Sequence, residues 1–168
     1  MIEQMLKGPV LEEMKKAVEY TPNSDCVETP EYVYANYFMA RKLAELERRH
    51  LLSLLSDRHE VKLYTHNPTP ELPKVSNKGA VDYYDTMPYV FKCSKINLNI
   101  SLRSIQTGIP LRCIDIMGAG CFLLSNYQAD LFEHFVPGED FVYYESDEDL
   151  LGKCEYYLTH DEERQSIA

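Results

Sequence analysis

The chain has 168 residues, with 27 acidic and 17 basic side chains and a formal net charge of −10 at neutral pH. This length suits one ordinary α/β domain with additional helices, and it is too short for two such domains. The acidic balance excludes a general nucleic-acid surface, which needs a basic patch, and argues against docking on anionic lipid. Without a long apolar run or a signal peptide, the sequence predicts no transmembrane segment and a cytoplasmic location.

The cysteine content predicts reduced thiols and no bound metal. The five cysteines are odd in number and widely spaced, and no two of them form a C-x-x-C pair. Such spacing indicates neither a zinc site nor a disulfide framework.

Residues 1–59 are predicted to form a helical segment. Ile2 to Tyr20 has a helical pattern that Gly8-Pro9 should break or restart. A polar connector from Thr21 to Pro30 precedes a long helix from Glu31 to Asp57, in which leucines alternate with charged side chains. We expect this helix to lead into the second part of the chain.

Residues 60–168 alternate predicted strands with predicted helices, a pattern typical of a parallel sheet with helices on both faces. The strands are β-branched, aromatic or continuous apolar runs. In chain order they are Val61–Thr65, Ile96–Ile100, Cys121–Ser125 and Phe141–Tyr144. The helices are expected at Thr86 to Lys92, from Pro110, at Ala129 to Phe135, from an N-cap at Ser146, and from near Asp161. The predicted fold class is α/β, a Rossmann-like parallel sheet preceded by N-terminal helices, with Cys121–Ser125 as a central strand.

The helix that begins at Pro110 is the most informative segment. Proline suits the first helical position, and Gly118 and Gly120 stand where a helix commonly ends. These glycines either only end the helix or also let a ligand approach the backbone. Apolar side chains cover most of the circumference, which leaves Arg112 and Asp115 together in one narrow sector. A charged pair on a buried helix is costly unless it is satisfied, so the two residues either pair with each other or face a ligand.

Polar residues collect after the first three predicted strands, at the edge where doubly wound sheets bind ligands. These residues are His66 and Asn67, then Ser101, Arg103, Ser104, Gln106 and Thr107, then Asn126, Tyr127, Gln128 and Asp130. Tyr127 is placed to stack on a base, and His66 is either a loop residue or a phosphate donor. Inside the second strand, Asn97 and Asn99 alternate with apolar residues, and they either contribute to binding or face solvent or mark a sheet edge. The convergence of several loops predicts a binding site at this edge.

Two stretches, Ser94 to Ser101 and Gly108 to Leu124, resemble the C-terminal domain of group 1 glycosyltransferases. The resemblance is to the subgroup related to spore-maturation glycosyltransferase-like proteins, and it covers roughly residues 60–168. Shorter matches follow in the same order at Leu131-Phe132, Pro137 to Asp140, Tyr143-Tyr144, Asp149-Leu150 and Tyr156 to Leu158. The resemblance implies a GT-B architecture, in which this domain binds a nucleotide-diphosphate sugar and a separate N-terminal domain binds the acceptor.

The resemblance also implies roles for individual residues. Asp115 matches the acidic residue that holds the donor ribose, where Glu is usual, and Arg112 would support the diphosphate or orient Asp115. Thr107 stands where many members carry a second Glu, so the two-glutamate motif is absent. No catalytic residue is assigned. The expected substrate-binding residues are Asp115, Arg112, Asn99, Ser101, Arg103, Gly118, Tyr127 and His66.

The chemistry of a nucleotide sugar fits these residue types. A carboxylate accepts ribose hydroxyls, and a diphosphate needs the donors of a guanidinium or a helix N-terminus. This arrangement requires no metal and no cofactor besides the donor substrate. The sequence has no D-x-D triplet, and Asp147-Glu148-Asp149 is interpreted as a helix-start cluster.

Three functional hypotheses follow. The first is the donor-binding half of a glycosyltransferase, which would be inactive without its acceptor-binding domain. We expect the chain to be one part of a larger enzyme, because the helical pattern begun near Asp161 runs to the last residue without a stop signal. The second is a binding or scaffold domain that kept the fold and lost the activity, with Arg112 and Asp115 paired to each other. The third is a receiver-like flavodoxin fold. It is the weakest, because the sequence has no acidic cluster at the end of a first strand, which phosphoacceptor chemistry needs.

Overall fold

The structure is a computed structural model that describes residues 10–17, 20–21, 28–102, 105 and 107–168. The chain divides into two compact units, Met1–Glu45 and Leu46–Ala168. Among the described residues, no helix combines the length and the apolar character that crossing a bilayer would need.

The first unit is helical in its described part. It contains α1 (Val10–Ala17), α2 (Pro30–Val33), a π-helical segment (Tyr34–Met39) and the start of α3 (Ala40–Ser56). Thr29 begins α2, because its Oγ1 accepts a hydrogen bond from the Tyr32 N–H at 3.2 Å. The predicted long helix is therefore present, with a π-helical stretch near its start. The predicted helix over residues 2–9 and the connector over residues 22–27 lie outside the described residues.

The second unit contains two parallel sheets. Strand β1 (Lys62–Leu63) pairs with β2 (Ser76–Asn77). A second sheet has the order β3 (Asn97–Asn99), β4 (Leu123–Asn126), β5 (Val142–Tyr144), with Asn97 opposite Leu123 and Leu124 opposite Val142. The continuous apolar run predicted as a central strand is β4, and that prediction is confirmed. Strand β2 has no apolar pattern of its own and is held by backbone bonds to the predicted first strand, such as Ser76 N–H to Val61 O at 2.9 Å.

The helices of the second unit lie close to their predicted positions. They are α4 (Met87–Lys92), α5 (Leu111–Gly118), α6 (Ala129–His134), α7 (Asp147–Thr159) and α8 (Asp161–Ile167). Ser146 is the N-cap of α7, as predicted, and its Oγ accepts from the Asp149 N–H at 3.2 Å. Pro110 is the N-cap of α5 rather than its first helical residue, and Gly120, with φ +65°, follows the end of that helix.

These helices cover both faces of the three-stranded sheet, which confirms the Rossmann-like α/β class. The face that we call the apolar face packs against α7, α8 and the part of α3 that belongs to the second unit. Its buried side chains are Leu51, Leu55, Phe122, Leu124, Val142, Tyr144, Leu150, Leu151, Cys154 and Ile167. The face that we call the mixed face packs against α4, α5 and α6, with apolar residues Phe91, Cys113, Ile116, Cys121, Leu123, Leu131 and Phe141.

The mixed face also buries two asparagines. The interpretation that Asn97 and Asn99 face solvent is wrong because both are buried. The interpretation that they mark a sheet edge agrees with the position of β3, which is an outer strand of the described sheet. The Asn97 Nδ2 donates to the backbone oxygens of Phe91 at 3.2 Å and Phe122 at 3.3 Å. The alternating pattern of β3 therefore reflects two covered faces, since Leu98 packs on the apolar side while the asparagines face the other helical layer.

Strand β5 is an outer strand of the described sheet, and a lysine lies against its backbone. The Lys153 Nζ donates to the Tyr143 carbonyl at 2.6 Å and to Asp149 Oδ2 at 2.7 Å. The same ammonium group lies 4.9 Å from the centroid of the Tyr143 ring. A charged side chain of α7 thus binds a backbone carbonyl of this outer strand.

Candidate functional site

The candidate site lies where β3 and β4 end and α5 begins. Hydrogen bonds to residues at or after the end of β4 hold the described part of the segment that connects β3 to α5: the Ser101 N–H donates to Asn126 Oδ1 at 2.9 Å, and the Gly108 N–H donates to the Asp130 carboxylate. Arg103, together with Ser104 and Gln106, was predicted to contribute to the site and lies outside the described residues.

A buried hydrogen-bond network joins the ends of the two strands. The Asn99 Nδ2 donates to Ser101 Oγ at 2.9 Å and to Ser125 Oγ at 3.0 Å. The Ser125 hydroxyl donates in turn to the backbone oxygen of Asn126 at 3.0 Å. Because Asn99, Ser101 and Ser125 are all buried, their bonds position the strand ends and the following segment.

The Cys113 thiol next to this network is unreactive at neutral pH. The Cys113 Sγ lies 4.0 Å from Ser125 Oγ on the buried side of α5. Burial raises the pKa of the Cys113 thiol to about 11, and burial likewise raises the pKa of Cys154 to about 11. Both thiols are therefore protonated at neutral pH and are poor nucleophiles.

Helix α5 is less buried than its composition predicts. Only Cys113 and Ile116 are fully buried, while Leu111 is 75% exposed and Ile114 is also exposed. One row of side chains faces the sheet, so the opposite side of the helix stays open even though it carries apolar residues. The prediction of a helix buried around most of its circumference is therefore wrong. Asp115, with a side chain 24% exposed, lies beside this open surface.

One oxygen of the Asp115 carboxylate has a firm partner. The Tyr83 hydroxyl donates to Asp115 Oδ1 at 2.7 Å. The other oxygen, Oδ2, lies 3.9 Å from Arg112 Nη1, which is beyond hydrogen-bond distance. Arg112 and Asp115 are thus close in space, as their spacing predicts, without being hydrogen-bonded to each other.

The Arg112 guanidinium is held by aromatic rings. Its central carbon lies 5.9 Å from the Tyr83 ring centroid and 5.5 Å from the Phe91 ring centroid. The Nη1 atom is buried and has no hydrogen-bond partner. Buried donors are nearly always paired in proteins, so this atom is an unused donor next to a carboxylate.

Tyr83 is the site residue that the sequence reasoning missed. It lies in the turn before α4, where Asp82 Oδ1 accepts from the backbone N–H groups of Tyr84 at 2.9 Å and Asp85 at 2.7 Å. The hydrogen bond to Asp115 raises the pKa of the Tyr83 phenol above its usual value. The Asp-Tyr-Tyr-Asp run indicates a turn, but no local pattern joins Tyr83 to a residue 32 positions later.

Comparison with known proteins assigns most of this sequence to a family. The sequence pattern of a family described as glycosyl transferase-like matches residues 41–168, which is well over half of the chain. The chain belongs to this glycosyl transferase-like family. No curated protein and no solved structure matches it.

All described site residues lie inside the glycosyl transferase-like segment, but the structure does not bring all of the predicted ones together. Asn99, Ser101, Arg112 and Asp115 lie around the start of α5 and the ends of the strands. Gly118 is the last residue of α5, about 10 Å along the helix axis from Leu111, and so lies at the far end of the helix from the candidate site.

Two further predicted residues lie in exposed loops of the glycosyl transferase-like segment. His66 follows β1 and is exposed. Tyr127 follows β4, and its exposed ring lies against Phe132 with 4.9 Å between ring centroids. Their roles in binding stay predictions.

The assembled groups combine three kinds of chemistry. The Asp115 carboxylate can accept hydroxyl hydrogens, the Arg112 guanidinium can donate to an anion, and the exposed apolar side chains of Leu111 and Ile114 flank them on the same helix. No group of three or more His, Cys, Asp or Glu in the described ranges is placed to hold a metal ion. A ligand with hydroxyls, negative charge and flat apolar faces suits this site.

Proposed function

We propose that this glycosyl transferase-like domain binds the nucleotide-diphosphate sugar donor of a GT-B enzyme. In this proposal the domain is the C-terminal half, of the spore-maturation-like subgroup, and a separate N-terminal domain holds an acceptor of unknown identity. The observation that carries the proposal is the state of the Asp115 carboxylate, which is partly exposed, is bonded at one oxygen and stands next to an underused guanidinium.

The Asp115 carboxylate has capacity for a ribose. A carboxylate offers about four acceptor positions, and the Tyr83 hydroxyl takes one of them. The remaining positions can accept two neighbouring hydroxyl groups, which is what the 2′ and 3′ positions of a ribonucleotide present. Exposed Leu111 and Ile114 on the same helix offer apolar surface next to this carboxylate.

The start of α5 supplies groups for the diphosphate. Pro110 provides no side-chain hydrogen bond to the helix N-terminus, so the first N–H groups of α5 remain without a side-chain cap. Such a terminus favours phosphate oxygens, and Arg112 adds a positive charge in the first turn. Arg103, Tyr127 and His66 stay predicted contributors to the same donor site.

The scaffold alternative requires Arg112 and Asp115 to satisfy each other. The two side chains form an ion pair at 3.9 Å, but no hydrogen bond joins them, so each keeps hydrogen-bonding capacity. The donor-binding proposal accounts for this capacity, because a bound nucleotide would use the acceptor positions of the partly exposed Asp115 carboxylate. The cytoplasmic location and the absence of a nucleic-acid partner stay predictions from the composition.

Isothermal titration calorimetry with UDP, GDP and ADP tests the proposal. We expect at least one nucleotide to bind, and Asp115→Asn to weaken that binding at least tenfold, since a charge-assisted hydrogen bond to ribose is lost. The matched control is Glu133→Gln, which removes the same charge from an exposed position on α6. Absence of binding by the unmodified chain, or equal affinity in the Asp115→Asn variant, would contradict the proposal.

A further inference from the structure

We propose that Tyr83 is a positioning residue of the donor site, whose hydroxyl fixes the Asp115 carboxylate so that its remaining acceptor positions face the ribose hydroxyls. This inference rests on the donor-binding function proposed above. It adds a residue from a different loop, outside the helix that carries Asp115 and Arg112.

The contact geometry supports a positioning role. Tyr83 makes two contacts at once, because its hydroxyl donates to Asp115 Oδ1 at 2.7 Å while its ring lies 5.9 Å from the Arg112 guanidinium. A hydroxyl bonded to a carboxylate is among the stronger protein hydrogen bonds. Tyr83 therefore contacts both the carboxylate and the guanidinium and restrains the position of each.

Without this contact the carboxylate would have another partner. Arg112 Nη1 lies 3.9 Å from Asp115 Oδ2, and a small side-chain rotation would convert this ion pair into a hydrogen-bonded one. A bidentate pair of that kind would use the acceptor positions that a ribose needs. The Tyr83 hydroxyl opposes this rotation by fixing the other oxygen.

The turn that carries Tyr83 is itself well held. The Asp82 side chain accepts two backbone N–H groups, and the Asp82 carbonyl accepts the Thr86 N–H at 3.3 Å and the Met87 N–H at 2.9 Å. The turn continues directly into α4, which supplies Phe91, the second ring beside Arg112. A single rigid element therefore controls both charged groups, as positioning requires.

The variant Tyr83→Phe tests the proposal, because it removes the hydroxyl and keeps the ring on Arg112. We expect affinity for the bound ribonucleoside diphosphate to fall about tenfold, the effect of losing a hydrogen bond to a charged group. Affinity for the matching 2′,3′-dideoxynucleoside diphosphate should not change, since that ligand lacks the hydroxyls that Asp115 accepts. Tyr84→Phe is the matched control, because the Tyr84 ring is 83% exposed and adjacent in the chain.

The same comparison in an Asp115→Asn background tests whether Tyr83 acts through Asp115. If Tyr83 acts through Asp115, Tyr83→Phe produces little further loss in that background. An equal loss for the ribo- and dideoxy-ligands, an equal loss in the Asp115→Asn background, or no loss at all would overturn the positioning role and leave donor binding intact. Failure of the unmodified chain to bind any nucleotide would overturn the proposed function and this inference together.

Discussion

The apolar face and the mixed face belong to the same three-stranded sheet but bury different chemistry. On the apolar face, β4 and β5 direct Leu124, Val142 and Tyr144 into a cluster built from hydrocarbon and aromatic side chains. On the mixed face, Asn97, Asn99 and Ser125 lie buried among apolar neighbours. Every candidate group for donor binding that the structure brings together belongs to the mixed face or to the segments next to it.

The difference separates stability from positioning. Burial of apolar surface is non-directional, so the apolar face stabilises the domain without specifying where a particular loop lies. The hydrogen bonds from Asn99 to Ser101 and Ser125 are directional, and they fix where β3 ends and where the next segment begins. We therefore expect substitutions on the two faces to affect unfolding and ligand binding differently.

The largest effect is expected on the apolar face. Leu124→Ala should lower the free energy of unfolding by about 2–5 kcal/mol, because Leu124 is fully buried and its truncation leaves a cavity. Nucleotide affinity of the folded fraction should stay unchanged. Urea denaturation and calorimetry measure the two quantities. A changed nucleotide affinity in Leu124→Ala would show that the two faces are coupled and would contradict the separation of stability from positioning.

A smaller loss of stability, now with a loss of binding, is expected on the mixed face. Asn99→Ala should cost about 1–3 kcal/mol, because it removes two side-chain hydrogen bonds in a buried network. Nucleotide affinity should also fall, since the segment after β3 loses its anchor. Asn97→Ala is the matched control, whose bonds go to backbone oxygens away from that segment. Equal affinities in the two variants would contradict the positioning role of the network.

The two glycines at the end of α5 give a finer test of the mixed face. Gly120→Ala should destabilise by about 1 kcal/mol, because its φ of +65° is unfavourable for an L side chain. Gly118→Ala should be neutral or stabilising by up to about 1 kcal/mol, since Gly118 is helical and a Cβ there meets open space. Thermal unfolding compares the two. Loss of nucleotide binding in Gly118→Ala would support the sequence-based assignment of this residue to the site.

The smallest effect is expected at the rim of the apolar face, where α8 begins. Hydrogen bonds from Arg164 and Lys95 lower the pKa of the Asp161 carboxyl. A carboxyl with a lowered folded pKa contributes stability above its unfolded pKa of about 3.9 and loses it as the pH falls through the folded value. Asp161→Asn should therefore slightly lower the melting temperature at pH 7. The difference should shrink below about pH 4, and a difference that persists there would contradict the assignment.

The elements that were predictable are those with a local cause. The apolar run of β4 and the N-cap at Ser146 act over a few residues, so both could be read directly from the sequence. Strand β2 could not be predicted, because Ser76–Asn77 forms a strand only through its pairing with β1. The burial of Asn97 and Asn99 depended on which helices cover the second face, which is a tertiary property.

The candidate site divides in the same way. Arg112 and Asp115 are one helical turn apart, so their proximity follows from local geometry. Tyr83 reaches Asp115 only because the turn before α4 packs next to α5, and no sequence period connects the two residues. Likewise, the exposure of Leu111 could not be predicted, since it depends on which side of α5 the sheet occupies.

The lysine on β5 has a consequence for the behaviour of the domain at high concentration. An outer strand is a template on which a strand of another molecule can pair, and a cation placed at its carbonyl opposes such growth. The Lys153 ammonium group, held at the Tyr143 carbonyl at 2.6 Å, would have to be displaced and desolvated before a neighbour could add to the sheet. One flexible side chain thereby helps to keep the strand from seeding aggregates.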